Sequence, residues 1–247
     1  MGPSGIPFRA MKADPIHLQP TAPLAERVLL PGDPGRALRL AQLLLSEPRM
    51  FNHNRGLWGY TGTAADDEPM TIQSTGMGGP SAAIVISELI MLGAERLVRV
   101  GTCGALDPTL ELGVFILARE AVPNDGASRA LGASGPARPD DELSDAIARA
   151  GGPSLHQGPV VSTDLFYDEG GHEQRWGREG ALGVEMETAT LFTIAAKKGV
   201  RAAALLIVSD KILPTRARIA GEALIESERR AGEIVATALL RAPSARR

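Results

Sequence analysis

Residues 70–101 read MTIQSTGMGGPSAAIVISELIMLGAERLVRVG. A strand-like run at 70–75, with Met70 and Ile72 alternating with polar residues, ends in a glycine-rich turn, Gly76-Met77-Gly78-Gly79. Pro80-Ser81 then suits a helix start, because proline tolerates the first turn and serine can cap it. The following Ala82–Ile90 is apolar on most sides, which predicts a buried helix. Leu97-Val98-Arg99-Val100-Gly101 is a second strand. A strand–helix–strand unit of this length suits a crossover joining two parallel strands.

Working outward, strand-like runs sit at 26–31, 57–63, 70–75, 96–101, 113–119, 158–162 and 202–209. Helix-like runs sit at 35–45, 80–93, 141–150, 187–199 and 217–240. The pattern predicts one α/β domain over 14–241, a central mixed β-sheet flanked by helices. Residues 1–13 and 242–247 read as loose termini. Segment 123–158, rich in Gly, Ser, Pro and Ala, reads as an irregular excursion with one short helix, 141–150.

The chain has 247 residues, 44% of them apolar and 4% aromatic, so its core must be built from Ala, Val, Leu and Ile. A net charge of −3 argues against a general nucleic-acid binder, which carries a basic face. The single cysteine, Cys103, excludes a multi-cysteine zinc site or a disulfide framework and fits a reducing cytoplasm. Cys103 reads as a small buried residue. No stretch approaches the ~18 uninterrupted apolar residues of a membrane span, and the first dozen residues lack a secretory signal's apolar run. His53 and His156 show no metal-ligand pattern. No metal or organic cofactor is expected.

Two strand ends share a chemistry. Residues 28–36, Val-Leu-Leu-Pro-Gly-Asp-Pro-Gly-Arg, run from a strand through a Gly/Pro turn to Arg36. Residues 97–104, Leu-Val-Arg-Val-Gly-Thr-Cys-Gly, carry Arg99 and Thr102. Glycine lets backbone N–H groups approach a ligand, and arginine adds a planar charged fork, a pairing that suits phosphate. Arg36 also stands near an expected helix start, a second source of positive potential. Arg99 inside an apolar strand needs an opposite charge, so it reads either as an anion ligand or as the partner of a buried acid. Neither a P-loop nor a dinucleotide fingerprint is present.

Residues 183–190, Gly-Val-Glu-Met-Glu-Thr-Ala-Thr, place two carboxylates at a strand-to-helix passage. Glu185 and Glu187 suit the gripping of a sugar diol, since an ionised carboxylate accepts two hydroxyl hydrogen bonds. Glu187 equally suits the start of a helix. Asp210 ends the apolar strand 202–209, where sites of open α/β sheets lie, and equally suits a loop start.

Together these pieces resemble the nucleoside phosphorylase-I family, and within it the hexameric bacterial-type purine nucleoside phosphorylases. The resemblance rests on Leu-Pro-Gly-Asp-Pro-Gly-Arg-Ala (30–37), Asn-Arg-Gly-Leu-Trp-Gly-Tyr-Thr-Gly (54–62), Gly-Met-Gly-Gly-Pro-Ser-Ala (76–82), Arg-Val-Gly-Thr-Cys-Gly-Ala (99–105), Ser-Thr-Asp-Leu-Phe-Tyr (162–167), Gly-Val-Glu-Met-Glu-Thr-Ala (183–189) and Val-Ser-Asp (208–210). It implies reversible phosphorolysis, in which nucleoside and phosphate give free base and ribose 1-phosphate. It implies that Gly32, Arg36, Arg99 and Thr102 hold phosphate. Arg55 and His17 match residues lent to the neighbouring subunit's phosphate and ribose 5′-hydroxyl. Met186 and Glu187 match ribose contacts, and Phe166 and Val184, with Glu185 beside them, match the base pocket. Ser209 and Asp210 match the pair facing the purine. Arg216 and Arg218 are both candidates for the arginine that pairs with Asp210. The shared sites imply a dimer as the smallest complete unit, assembled as a trimer of dimers.

Uridine phosphorylases of the same family read uracil with a Gln and an Arg soon after the Phe-Tyr pair. Here Asp168-Glu169-Gly170-Gly171-His172 follows Tyr167, and Gln174-Arg175 come later. Hydrolytic nucleosidases lack the phosphate arginines, so Arg36, Arg55 and Arg99 argue against them. A non-catalytic protein on the same scaffold would bind inosine without phosphate-dependent turnover. An acid at 210 suits 6-amino and 6-oxo purines alike.

Overall fold

β5 (Arg96–Ala105), the second strand of the opening unit, is the strand on which the sheet turns. It pairs in parallel with β1 (Arg27–Leu30) on one side and with β9 (Arg201–Lys211) on the other. The computed structural model describes residues 14–167 and 170–241; the expected loose termini lie outside the described residues. The remaining strands are β2 (Ser46–Asn52), β3 (Gly59–Thr63), β4 (Pro69–Gln73), β6 (Phe115–Asn124), β7 (Leu155–Thr163), β8 (Gly183–Glu185) and β10 (Ala217–Arg218). The helices are α1 (Pro34–Leu44), α2 (Gly79–Leu92), α3 (Gly126–Ala130), α4 (Asp141–Gly151), α5 (His172–Arg178), α6 (Thr188–Lys198) and α7 (Gly221–Arg241).

The sheet is mixed, in the order β10-β9-β6-β7-β8-β5-β1-β4-β3-β2, and the extra β9–β5 pairing closes part of it. β5, β9, β6, β7 and β8 each pair with the next, and β8 returns antiparallel to β5, so these five strands form a ring. β1, β4, β3 and β2 extend from it as an open sheet. Apolar cores form on both faces. One joins α2 and α6 to the sheet through Val85, Leu89, Leu191 and Phe192; the other joins α1, α4 and α7 through Leu40, Ile147 and Val235. Strands covered on both faces read as continuous apolar runs, as Ala202–Val208 does. Among the described residues, no helix is long and apolar enough to cross a membrane.

Several expectations need correction. Segment 123–158 is more regular than its composition suggests: β6 runs on to Asn124, α3 follows, and β7 begins at Leu155. The expected helix 217–240 begins only at Gly221, because Ala217–Arg218 pair with Lys211 and Asp210. β2 carried no sequence signal. It is an edge strand, exposed from Ser46 to Met50, interrupted by Pro48 and bent at Glu47 (φ 48°), and such edges lack apolar alternation.

Candidate active site

The first strand end turns at Pro31-Gly32 into α1, and Asp33 caps that helix. Asp33 Oδ1 accepts from Gly35 N (3.0 Å) and Oδ2 from Arg36 N (2.9 Å). The carboxylate therefore occupies the helix start, which corrects the expectation of a free positive terminus there. Arg36 itself is buried. Its Nε donates to Glu228 Oε1 at 2.8 Å, and Nη1 to the Val100 carbonyl at 3.3 Å. Arg39 holds the other oxygen of Glu228 at 2.6 Å, so this buried acid from α7 fixes two arginines.

Register places Arg99 opposite Leu30, beside the Gly32 turn. Arg99 is the partner of buried acids. Its Nε donates to Glu185 Oε2 (3.0 Å) and Nη2 to Glu187 Oε2 (2.5 Å), while Nη1 is buried without a partner. Nη1 is 3.9 Å from where a Cβ on Gly32 would stand. A buried donor left open beside a glycine turn is the group a bound oxyanion satisfies. Burial opposes the charge on Arg99, but Glu187 and Glu185 outweigh it and hold the guanidinium above its ordinary range. One cation serves two carboxylates. Burial, with Glu185 nearby, therefore still pushes Glu187 above the usual carboxylate range despite Arg99. Thr102 sits half-exposed farther along β5.

The two acids of 183–190 have different tasks. Glu185 accepts from Arg99 Nε, Ser162 Oγ and the backbone N–H groups of Glu187 and Thr188, so it caps α6 and anchors Arg99. This corrects the expectation that both acids grip a diol: Glu185 is fully engaged. Glu187 does not cap its own helix; Oε1 accepts from Gly78 N (2.5 Å) at the start of α2. It sits beside Arg99, with Nη2 of that guanidinium on its Oε2.

A cavity next to this pair is lined by Phe166, Glu173, Trp176, Val184, Met186, Asp210 and Arg216, with the edge of Glu185. Register explains the convergence, since Gly104 faces both Val184 and Asp210. The β5–β9 register shifts between Cys103 and Gly104, which pair with Val208 and Asp210. Ser209 is the extra residue of this bulge, and bulges re-aim side chains beside sites. Ser209 Oγ lies 2.8 Å from Asp210 Oδ2. Arg218 Nε is 3.7 Å from Asp210 Oδ1, whereas Arg216 stands over the Phe166 ring at 5.8 Å. Cys103 is buried, and burial raises its thiol, as suits an inert core residue.

His17 and Arg55 do not line this cavity. They share a surface patch, where Asn54 Nδ2 donates to the His17 carbonyl (2.9 Å) and Arg55 is exposed with φ 59°. Residue reasoning missed Glu88, which binds the His17 ring (2.8 Å) and accepts from the backbone N–H groups of Ile16, His17 and Leu18. Its signal was visible as the one acid in an apolar helix. Glu228, Ser162 and Glu173 were also missed. The partners of Glu228 and Ser162 lie far off in the chain, and Glu173 joins the cavity wall only in the fold.

Burial would raise the Glu88 carboxyl, but its hydrogen bonds with Leu18 and His17 outweigh that and hold it below the ordinary range. A depressed carboxyl stabilises the fold above its unfolded pKa and loses that contribution as pH falls through the folded value. Glu88→Gln should therefore cost about 1–3 kcal/mol near neutral pH. The gap in Tm from wild type should narrow as pH drops below about 4. Thermal melts across pH test this; a gap independent of pH would refute it.

Residues 26–242 match the family model described as phosphorylase superfamily. A protein of Geobacillus kaustophilus named purine nucleoside phosphorylase DeoD-type is 42% identical over 78% of this chain and 84% of its own length. One of the same name from Roseobacter denitrificans is 39% identical over 87% and 93%. A guanosine phosphorylase of Halorubrum lacusprofundi is 36% identical over 82% and 86%. With the matched region running from β1 to the end of α7 and so containing every element that builds the site, the chain belongs to the phosphorylase superfamily.

Proposed function

We propose that this chain catalyses reversible phosphorolysis of purine ribo- and deoxyribonucleosides, giving free base and pentose 1-phosphate. The observation that carries the reading is Arg99, whose open Nη1 faces the Gly32 turn while Nη2 grips Glu187. One guanidinium thereby ties an anion position to a diol position. The names of the relatives support the same reaction.

On this reading Gly32, Arg36, Arg99 and Thr102 hold phosphate, and Met186 and Glu187 hold the pentose. Phe166 and Val184 sandwich the base, with Ser209 and Asp210 at its edge. Breaking the glycosidic bond builds oxocarbenium charge on the sugar and negative charge on the base. The arginines position the nucleophile and offset its charge. Asp210 delivers a proton to purine N7, and Arg218, already nearest to it, is the pairing arginine. Inorganic phosphate is the co-substrate, and no metal or organic cofactor takes part. His17 and Arg55 complete the neighbour's site, which makes a homodimer the minimal unit and a trimer of dimers the assembly. Exposed Ile16 and Trp58 in the same two segments suit such a contact. The region 14–241 acts as one domain, and a single buried thiol suits the cytoplasm.

A pyrimidine reading finds less support. Gln174 lines a different cavity, with Leu106, Pro108 and Pro214, and Arg175 lies 3.9 Å from Glu179. The deciding experiment is release of free base from inosine, adenosine and uridine, with and without phosphate. Both purines should turn over only with phosphate, and uridine should stay inert. Release without phosphate would mean a hydrolase. Negligible adenosine turnover beside inosine would refute the dual base acceptance assigned to Asp210.

A further inference from the structure

We propose that Glu173 reads the six-membered ring of the purine by accepting its N–H donors, so that guanine is the preferred base. This rests on the phosphorolysis reading and names the substrate class of the same site.

Glu173 stands in the first turn of α5, half-buried, and lines the cavity with Phe166, Val184, Met186 and Asp210. Its carboxylate has no hydrogen-bond or ion-pair partner among the described residues. The other side chains of this turn point elsewhere. His172 lies against Trp176, with ring centroids 5.7 Å apart, and Gln174 opens onto the neighbouring cavity. Glu185, the other carboxylate on the same wall, is fully engaged. Asp210, the third acid of the cavity, is held by Ser209 Oγ and lies near Arg218, so Glu173 is the cavity acid with no partner among the described residues.

A carboxylate partly withdrawn from water calls for donors. When ionised it offers acceptors only. Guanine presents N1–H and the 2-amino group side by side, a spacing that matches the two carboxylate oxygens. Hypoxanthine presents N1–H alone. Adenine sets its amine beside the N1 lone pair, which a carboxylate repels. The resulting order is guanosine over inosine over adenosine. A charge in the first turn also complements the helix start, but that role is blind to the base.

The test is kcat/KM for the three nucleosides at saturating phosphate in wild type, Glu173→Ala and the isosteric Glu173→Gln, with Tm alongside. Losing a charged hydrogen bond in a desolvated site costs about 10- to 200-fold. Guanosine should fall about 100-fold in Glu173→Ala and inosine about 10-fold, while adenosine should hold or rise. Glu173→Gln should lie between. Equal changes for all three bases would overturn the proposal and leave Glu173 a helix-start charge. Calorimetric binding of free guanine, hypoxanthine and adenine separates the two claims. Selective loss of guanine affinity in Glu173→Ala supports the assignment even if wild type lacks phosphate-dependent turnover, which would defeat the phosphorolysis reading alone.

Discussion

Arg99→Ala should abolish nearly all phosphate-dependent turnover and cost about 3–5 kcal/mol of stability, because it removes one partner of a buried ion cluster. Glu185 and Glu187 would then face each other without a cation, in a region where all three side chains are at most 7% exposed. The kinetic loss has a separate cause. Nη1 is the buried donor left open at the proposed anion position, and removing one preorganised donor costs roughly 10²–10³-fold. Arg99→Lys separates the two effects. A lysine keeps the charge between the acids but not the planar fork that serves three directions. Tm should recover in large part while the phosphate KM stays high. Unchanged phosphate kinetics in a folded Arg99→Ala protein would sink the proposed function.

Asp210→Ala should lower kcat for inosine and guanosine by about 10²–10⁴-fold, the usual worth of general acid assistance. Its side chain is 14% exposed, held by Ser209 Oγ at 2.8 Å and by Arg218 at 3.7 Å, and it opens onto the cavity. The informative control is 7-methylguanosine. That substrate already carries positive charge on its imidazole ring and leaves as a neutral base without a proton from the enzyme. Its turnover should be nearly the same in wild type and Asp210→Ala. An equal loss for both substrates would make Asp210 a positioning residue and remove it from the proton step.

Much of the scaffold was legible because its signals are local. Pro80-Ser81 and the apolar run behind them foretold α2, and Leu97–Gly101 foretold the heart of β5. The candidate site was legible in its residue types, arginines at strand ends and two acids at a helix start. It was not legible in assignment. Glu185 and Glu187 look equivalent two residues apart. Yet β8 turns Glu185 onto Ser162 and Arg99, while the passage into α6 sends Glu187 to Gly78. Which of Arg216 and Arg218 lies nearer Asp210 likewise waited on β10, which pairs Arg218 directly opposite Asp210.

By itself, then, the sequence determined the α/β class, most of the strands and helices, and the residue types, arginines at strand ends and two acids at a helix start, on which the proposed site rests. Those properties follow from periodicity, turn residues and charge placed inside apolar runs, all read within a dozen positions. Tertiary structure alone decided the five-strand ring, the Ser209 bulge that brings Asp210 opposite Gly104, and the partners Glu88, Glu185 and Glu228. Those contacts join residues 71, 86 and 192 positions apart. The free energy of a buried charge depends on which opposite charge the fold brings within hydrogen-bonding distance, and nothing in the neighbouring sequence encodes that distance.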